Sequence, residues 1–140
     1  MFDVNVNKIM ASKTDKLIQS IAVEHKVKVL VDTKFHKDYG ECYPDASEVL
    51  LSSKFSSNKI KIAVFLHELS HIITMRRTGA RYLAASVFQE ESAVWSLAQE
   101  LHLKYLDKPF CKSQADFMLK CLKTYSQYHY SFKKQFNKEV

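Results

Sequence analysis

Ala63-Val64-Phe65-Leu66 and Ile72-Ile73 flank the five residues His67-Glu68-Leu69-Ser70-His71, and neither flank holds a charge or a proline. Such a pattern predicts a helix that is apolar on every side, and a helix of that kind has to lie at the centre of its fold. Two imidazoles and a carboxylate inside it cost free energy unless something partners them. A metal ion is one such partner. Residues four apart on a helix share a face, about 6 Å from each other, so His67 and His71 can hold one ion together. Glu68, next to the first imidazole, can then reach a water on that ion. With six His and eight Glu in 140 residues, an H-E-x-x-H arises by chance in roughly one or two shuffled chains per hundred, so the apolar flanks matter as much as the motif. The competing reading is a pair of core histidines satisfied by neighbouring backbone or carboxylates.

The surrounding chain predicts few strands and several helices. Only two Gly and two Pro occur in the whole sequence, which favours long helices. Residues 8–25 place Ile9, Leu17, Ile18, Ile21 and Ala22 at helical spacing, and Val27 to Val31 alternate as a short strand. Turns are expected at residues 38–40 and 44–45, and Glu48 to Ser52 read as a second strand. Both strands are expected in one small antiparallel sheet. Ser56, Ser57 or Asn58 can cap the motif helix, expected over about 58–76, with Arg76 and Arg77 suiting its C-terminal dipole and Gly79 stopping it. A third helix is expected over about 81–105. Pro109 ends it, and Ser113 can cap a fourth from about 114 to 130 or beyond. The length suits one α+β domain over 1–140, mainly helical, with its core in about 8–105 and a basic helical extension over about 110–140.

Three cysteines, Cys42, Cys111 and Cys121, form no C-x-x-C pair, so reduced thiols are expected rather than a disulfide framework. The N-terminal residues lack the apolar run of a signal peptide, and no segment approaches the roughly 18 apolar residues of a membrane span. A cytoplasmic protein without membrane contact is therefore expected. The net charge of +6 gathers late, from Lys104 to Lys138. Spread lysines with little arginine suit a solvated helical face. The interleaving of Tyr125, Tyr128, Tyr130, Phe132 and Phe136 with Lys123, Lys133 and Lys134 would also suit contact with single-stranded nucleic acid.

Zinc requires a third protein ligand and leaves its fourth position to water. The short-spaced motif that ends in a third His is absent. His102 lies about 16 Å along its helix from Glu91, too far to join, and is read as structural. Glu90 and Glu91 remain, each separated from His71 by enough chain for a turn and a returning helix. Ala84, Val87, Phe88, Val94, Trp95, Ala98 and Leu101 define the buried face of that helix. Glu91 falls near its centre and Glu90 nearer its edge, so helical phase favours Glu91.

His67-Glu68-x-x-His71 followed by Glu91 resembles the Glu-zincin arrangement. With the order helix, strand, turn, strand, metal helix, and with Trp95 four residues after Glu91, the chain is similar to the compact ImmA/IrrE-like metallopeptidases and related phage or mobile-element zincins. The resemblance covers about residues 27–105; Ser70 and Ser92 stand where that family often has Gly or Ala. It implies Zn²⁺ held by His67, His71 and Glu91, Glu68 as general base, and a protein or peptide substrate cleaved at a peptide bond. It also implies an edge strand near residues 48–52 that pairs with the substrate. Tyr82 or Tyr43 could supply an oxyanion donor, and Cys42 could either approach the ion or remain a half-buried side chain. The alternative is an interaction module that keeps the zincin fold and binds a regulatory protein or nucleic acid through its basic C-terminal part.

Overall fold

Ser57 begins the central helix by accepting a hydrogen bond from the Ile60 amide at 3.2 Å. The computed structural model of the chain describes residues 12–79 and 87–139, with side chains as far as 125. In chain order the elements are α1 (Lys13–Glu24), β1 (Lys28–Asp32), β2 (Gly40–Tyr43), a 3₁₀ turn (Pro44–Ala46), β3 (Glu48–Ser52), α2 (Asn58–Thr78), α3 (Val87–Leu106) and α4 (Lys112–Glu139). The expected α+β architecture is present.

α2 is the hub, as its sequence demands. It packs against α1, α3, α4, β2 and β3, and Ala63, Phe65, Leu66, Leu69 and Ile72 are fully buried along it. Each of the larger of these side chains contributes about 1.5–3 kcal/mol by leaving water. Gly79 ends α2 in a left-handed conformation at φ 71°, its amide bonded to the Met75 carbonyl. Arg76 does more than suit a dipole: its guanidinium donates to the carbonyls of His25 and Lys26 and to Ser47 Oγ, tying the end of α2 to the α1–β1 turn.

The sheet departs from expectation. β1 and β3 are parallel, with Val29 opposite Val49 and Val31 opposite Leu51. β2, which lies between the two expected turns and takes Gly40 from the first, pairs antiparallel with β3 and gives the order β1-β3-β2. The sheet is therefore mixed and not antiparallel. The cause is local. Pro44–Ala46 and Ser47, left-handed at φ 52°, make a tight reversal, so the hairpin partner of β3 is β2. β1 then takes the other side of β3. Residues 48–52 thus form the central strand, and the edge strand beside α2 is β2. Val29, Val31, Val49 and Leu51 face the core.

α1 starts at Lys13, with Ser12 capping the Asp15 amide at 3.0 Å; Ile9 and Tyr82 lie outside the described residues. α4 starts one residue before Ser113. Cys111 occupies the cap, and its amide donates to Gln114 Oε1 at 2.8 Å in a capping-box arrangement. Gln114 Nε2 donates to the Lys59 carbonyl at 2.8 Å and lies 3.2 Å from His102 Nε2, while His102 Nδ1 donates to the Lys108 carbonyl at 2.7 Å. His102 is structural, as expected: buried, it locks the α3–α4 turn onto the start of α2. Phe117, Met118, Cys121 and Leu122 pack against the core cluster, so the first turns of α4 belong to the body of the fold. No helix among the described residues is long and apolar enough to cross a membrane.

Candidate metal centre

One turn of α2 separates His67 from His71 and sets their ring centroids 4.8 Å apart. α3 runs back alongside α2 and delivers Glu91 between the rings. Glu91 Oε1 lies 2.9 Å from His67 Nε2, and Oε2 lies 2.9 Å from His71 Nε2. One donor atom from each of the three residues falls within 4.8 Å of the others. Helical phase chose the same glutamate: Glu90 is also buried but is not in the cluster.

The donor set suits zinc. Two imidazole nitrogens and a carboxylate oxygen at about 2.0–2.2 Å from a tetrahedral ion lie about 3.3–3.5 Å from each other. The 2.9 Å contacts to the two Glu91 oxygens would open by about half an ångström and the full set of donors, now within 4.8 Å of one another, would draw together to reach that spacing. The electrostatics agree. Burial pushes the His67 imidazole down, but hydrogen bonds to Glu68 and Glu91 overcome it and raise the group to about 9. Burial likewise pushes Glu91 up, and the bonds from His67 and His71 overcome that, holding it at about 2. The cluster is a buried place that attracts positive charge.

His67 is held on three sides. Its Nδ1 lies 2.9 Å from Glu68 Oε2, which directs Nε2 to the cluster. Trp95 stacks on its face, centroids 4.2 Å apart and planes at 21°. Trp95 is buried beneath the site, with an edge on the smaller of the cavities described below. Ser70 donates to the Leu66 carbonyl at 2.6 Å and so satisfies its hydroxyl inside the helix.

Glu68 borders two cavities that open onto the cluster. One, of about 380 Å³, lies toward β2 and reaches His71, Glu41 and Tyr43. The other, of about 130 Å³, lies toward α4 and reaches Trp95, Phe117 and Cys121. Gly40 makes the close approach of β2 possible, since a Cβ there would stand 2.8 Å from Val64 Cγ1 and 3.3 Å from Glu68 Cγ. A larger groove, about 720 Å³, lies on the outer face of the sheet around Leu30 and Leu50 and shares no residue with the cluster.

Tyr43 is half exposed, and its hydroxyl donates to Glu41 Oε2. Tyr39, passed over as part of a turn, lines both cavities, and its hydroxyl donates to Glu41 Oε1 at 2.8 Å. Burial first, then Glu41, pushes the Tyr39 phenol up to about 12, so it stays a donor at any ordinary pH. Cys42 is buried in the core and is not in the metal cluster. Of the aromatic–lysine series proposed for nucleic acid, Tyr125 is the one aromatic whose side chain is described, and it borders both site cavities. No protein-family model, curated protein or solved structure matches the chain.

Proposed function

We propose that the chain is a zinc-dependent peptidase of the Glu-zincin type. The observation that carries this reading is the convergence of His67 Nε2, His71 Nε2 and both Glu91 oxygens in a buried cluster beside an open cleft. Zinc would be held by these three residues, and when bound it supplies Lewis acidity for a carbonyl and a more acidic water. Glu68, bordering the cleft, would leave its bond to His67 Nδ1, take the proton of the attacking water and pass it to the leaving amine. Trp95, stacked on the ring, would keep His67 fixed while this happens. Tyr39 would donate to the oxyanion by exchanging its bond to Glu41. The edge strand β2 borders the same cleft, and an extended peptide can add to such an edge.

The test is metal analysis beside a cleavage assay on full-length protein. One zinc per chain is expected, lost in His67→Ala and His71→Ala. Glu68→Gln should retain zinc and lose cleavage of a proteome-derived peptide library. Absence of zinc after metal-replete purification would refute the reading. Undiminished cleavage by Glu68→Gln would point to another base, whereas absence of cleavage in both proteins with biological activity untouched by Glu68→Gln would favour the interaction-module alternative.

A further inference from the structure

β2 is the free edge of the sheet and the outer wall of the cleft. Gly40 and Cys42 turn toward α2 and the core, so Glu41 and Tyr43, which alternate with them, turn to the other side of the strand. Both still border the cavity of about 380 Å³ that reaches His67, His71 and Glu91. Tyr39 donates to one Glu41 oxygen and Tyr43 to the other, each at 2.8 Å. Phenols fix a carboxylate in place and leave its charge intact, whereas an ion pair would cancel it. Burial and then Glu41 raise Tyr39 to about 12, and the bond to Glu41 raises Tyr43, so both phenols stay donors. An ionised carboxylate accepts at about four positions, so acceptor sites remain on both oxygens. Among the described residues, no lysine or arginine lines the cavity and none pairs with Glu41. The charge of a bound zinc ion would balance Glu68 and Glu91, which leaves Glu41 uncompensated on the cleft wall.

We propose that Glu41 selects a substrate carrying an arginine close to the scissile bond, its guanidinium bonded to the free acceptor sites of the carboxylate. The inference rests on the peptidase reading above and adds to it the class of residue selected. Register carries the first part. A peptide added to the edge of β2 turns alternate side chains toward α2 and toward Glu41, and a residue opposite Glu41 stands about 4.5–5.5 Å from it between Cβ atoms. Gly40, the neighbour of Glu41, approaches Glu68, so the residue opposite Glu41 lies near the bond being cut. Chemistry carries the second. A guanidinium meets a carboxylate with two parallel N–H donors, a match that an ammonium lacks. Tyr43 is half exposed and offers the cation a ring face. Mechanism carries the third: Tyr39 gives up its bond to Glu41 when it turns to the oxyanion, and the guanidinium replaces the donor that Oε1 then loses.

The experiment measures binding and needs no identified substrate. Zinc-loaded full-length protein is titrated with peptide hydroxamates in two series, which carry arginine, citrulline or glutamate on one side or the other of the hydroxamate. Citrulline has the shape of arginine without its charge. A hydrogen bond to a charged group contributes about tenfold or more. In one series the arginine compound should therefore bind at least about tenfold more tightly than the citrulline compound, and the glutamate compound more weakly than both. Glu41→Gln keeps an acceptor for one tyrosine, removes the charge and should bring the arginine-to-citrulline ratio to within about threefold, with zinc content unchanged. Glu41→Lys should place the glutamate compound ahead of the arginine compound, and it decides alone if Glu41→Gln fails to fold. An arginine-to-citrulline ratio near one in both series, or one unmoved by Glu41→Gln, overturns the role of Glu41 while leaving the metal site intact. Failure of the wild type to hold zinc, or of the zinc-loaded protein to bind any of the compounds, overturns the peptidase reading and this inference with it.

Discussion

Gly40→Ala is a small change that bears on the whole site. Gly40 is the first residue of β2 and faces α2 directly. An alanine Cβ would stand 2.8 Å from Val64 Cγ1, 3.2 Å from Leu51 Cδ2 and 3.3 Å from Glu68 Cγ. Carbon atoms rest about 3.5–4.0 Å apart, so the closest contact is short by about 0.7 Å or more. Val64 and Leu51 are both buried, so either must repack to relieve the contact. Overpacking of this kind costs about 1–3 kcal/mol. Loss of glycine freedom in the unfolded chain offsets about 0.4–1 kcal/mol of that. The net destabilisation is about 1–2 kcal/mol, a fall in Tm of about 3–8 °C for a chain of this size. Relief of the clash moves β2 away from α2, so cleavage should fall further than zinc content. Val64→Ala removes the nearest atom, and in that background Gly40→Ala should cost at least about 1 kcal/mol less. Thermal melts of the four proteins of this cycle, with zinc measured on each, check the account. A Gly40→Ala protein as stable as the wild type, or one whose cost is the same with and without Val64, would refute it. Gly79→Ala is the contrast: no atom lies within 4 Å of its added Cβ, so it should cost only the left-handed strain and leave activity alone.

Burial holds the His102 imidazole below its ordinary value, opposed by its bond to the Lys108 carbonyl and assisted by the Lys108 charge. The unfolded chain therefore binds that proton more tightly, and the stability His102 contributes is present above about pH 6.5 and lost as pH falls through the folded-state value. Urea midpoints should drop more between pH 7.5 and 5.0 for wild type than for His102→Gln; equal drops would refute this. Trp95→Leu removes the ring stacked on His67 and should weaken zinc binding by about tenfold or more, as loss of a ligand's supporting partner does, measured by competition with a chromogenic chelator; unchanged affinity would show that the carboxylates alone hold the ring. Hydrogen bonds from Ser113 and from backbone near Gln114 hold the Cys111 thiol below its ordinary value, whereas Cys121 is raised and Cys42 is buried. Iodoacetamide at pH 8 should therefore label Cys111 first by peptide mass mapping, and faster labelling of Cys121 would contradict the described packing of α4.

Where periodicity and burial act along one helix, the sequence was legible. α2 announces itself because uninterrupted apolar residues leave a helix no solvent face, and Glu91 was separable from Glu90 because a rotation of about 100° per residue puts only one of them toward α2. The i, i+4 relation of Glu91 and Trp95 likewise set the ring one turn from the carboxylate, beneath the site, and the structure stacks it on His67. Long-range choices were not legible. Nothing local in Val29 or Val49 states whether their strands run parallel, because that depends on which strand fills the intervening chain. β2 was missed since Gly40 reads as a turn residue, and its purpose, a close approach to Val64, exists only once α2 is beside it. The same holds for Tyr39 and Cys121, which reach the site from segments with no motif. The cap at Cys111 was missed because the acceptor is the Gln114 side chain, three residues on, rather than the capping residue's own hydroxyl.

Charge arithmetic bears on why such a cluster persists in the core. Glu68 and Glu91 both bond to His67, with side-chain exposures of 10% and 6%, and the two imidazoles are nearly as buried at 12% and 10%. With both carboxylates ionised and both rings neutral, the cluster carries two uncompensated negative charges away from water, an arrangement that costs several kcal/mol per ion. A proton on His67 can supply part of the missing charge, and its raised value is the sign of that pull. That solution spends the ring lone pair that would face an ion. A divalent cation supplies the same two charges at one point and leaves both imidazoles neutral, as ligation requires. A pair of core histidines serving packing alone would call for one carboxylate, or for backbone carbonyls of the kind that satisfies His102. Two carboxylates around two imidazoles, with Glu68 and Glu91 bordering a cleft, are the groups that the proposed divalent ion and its adjacent base would use.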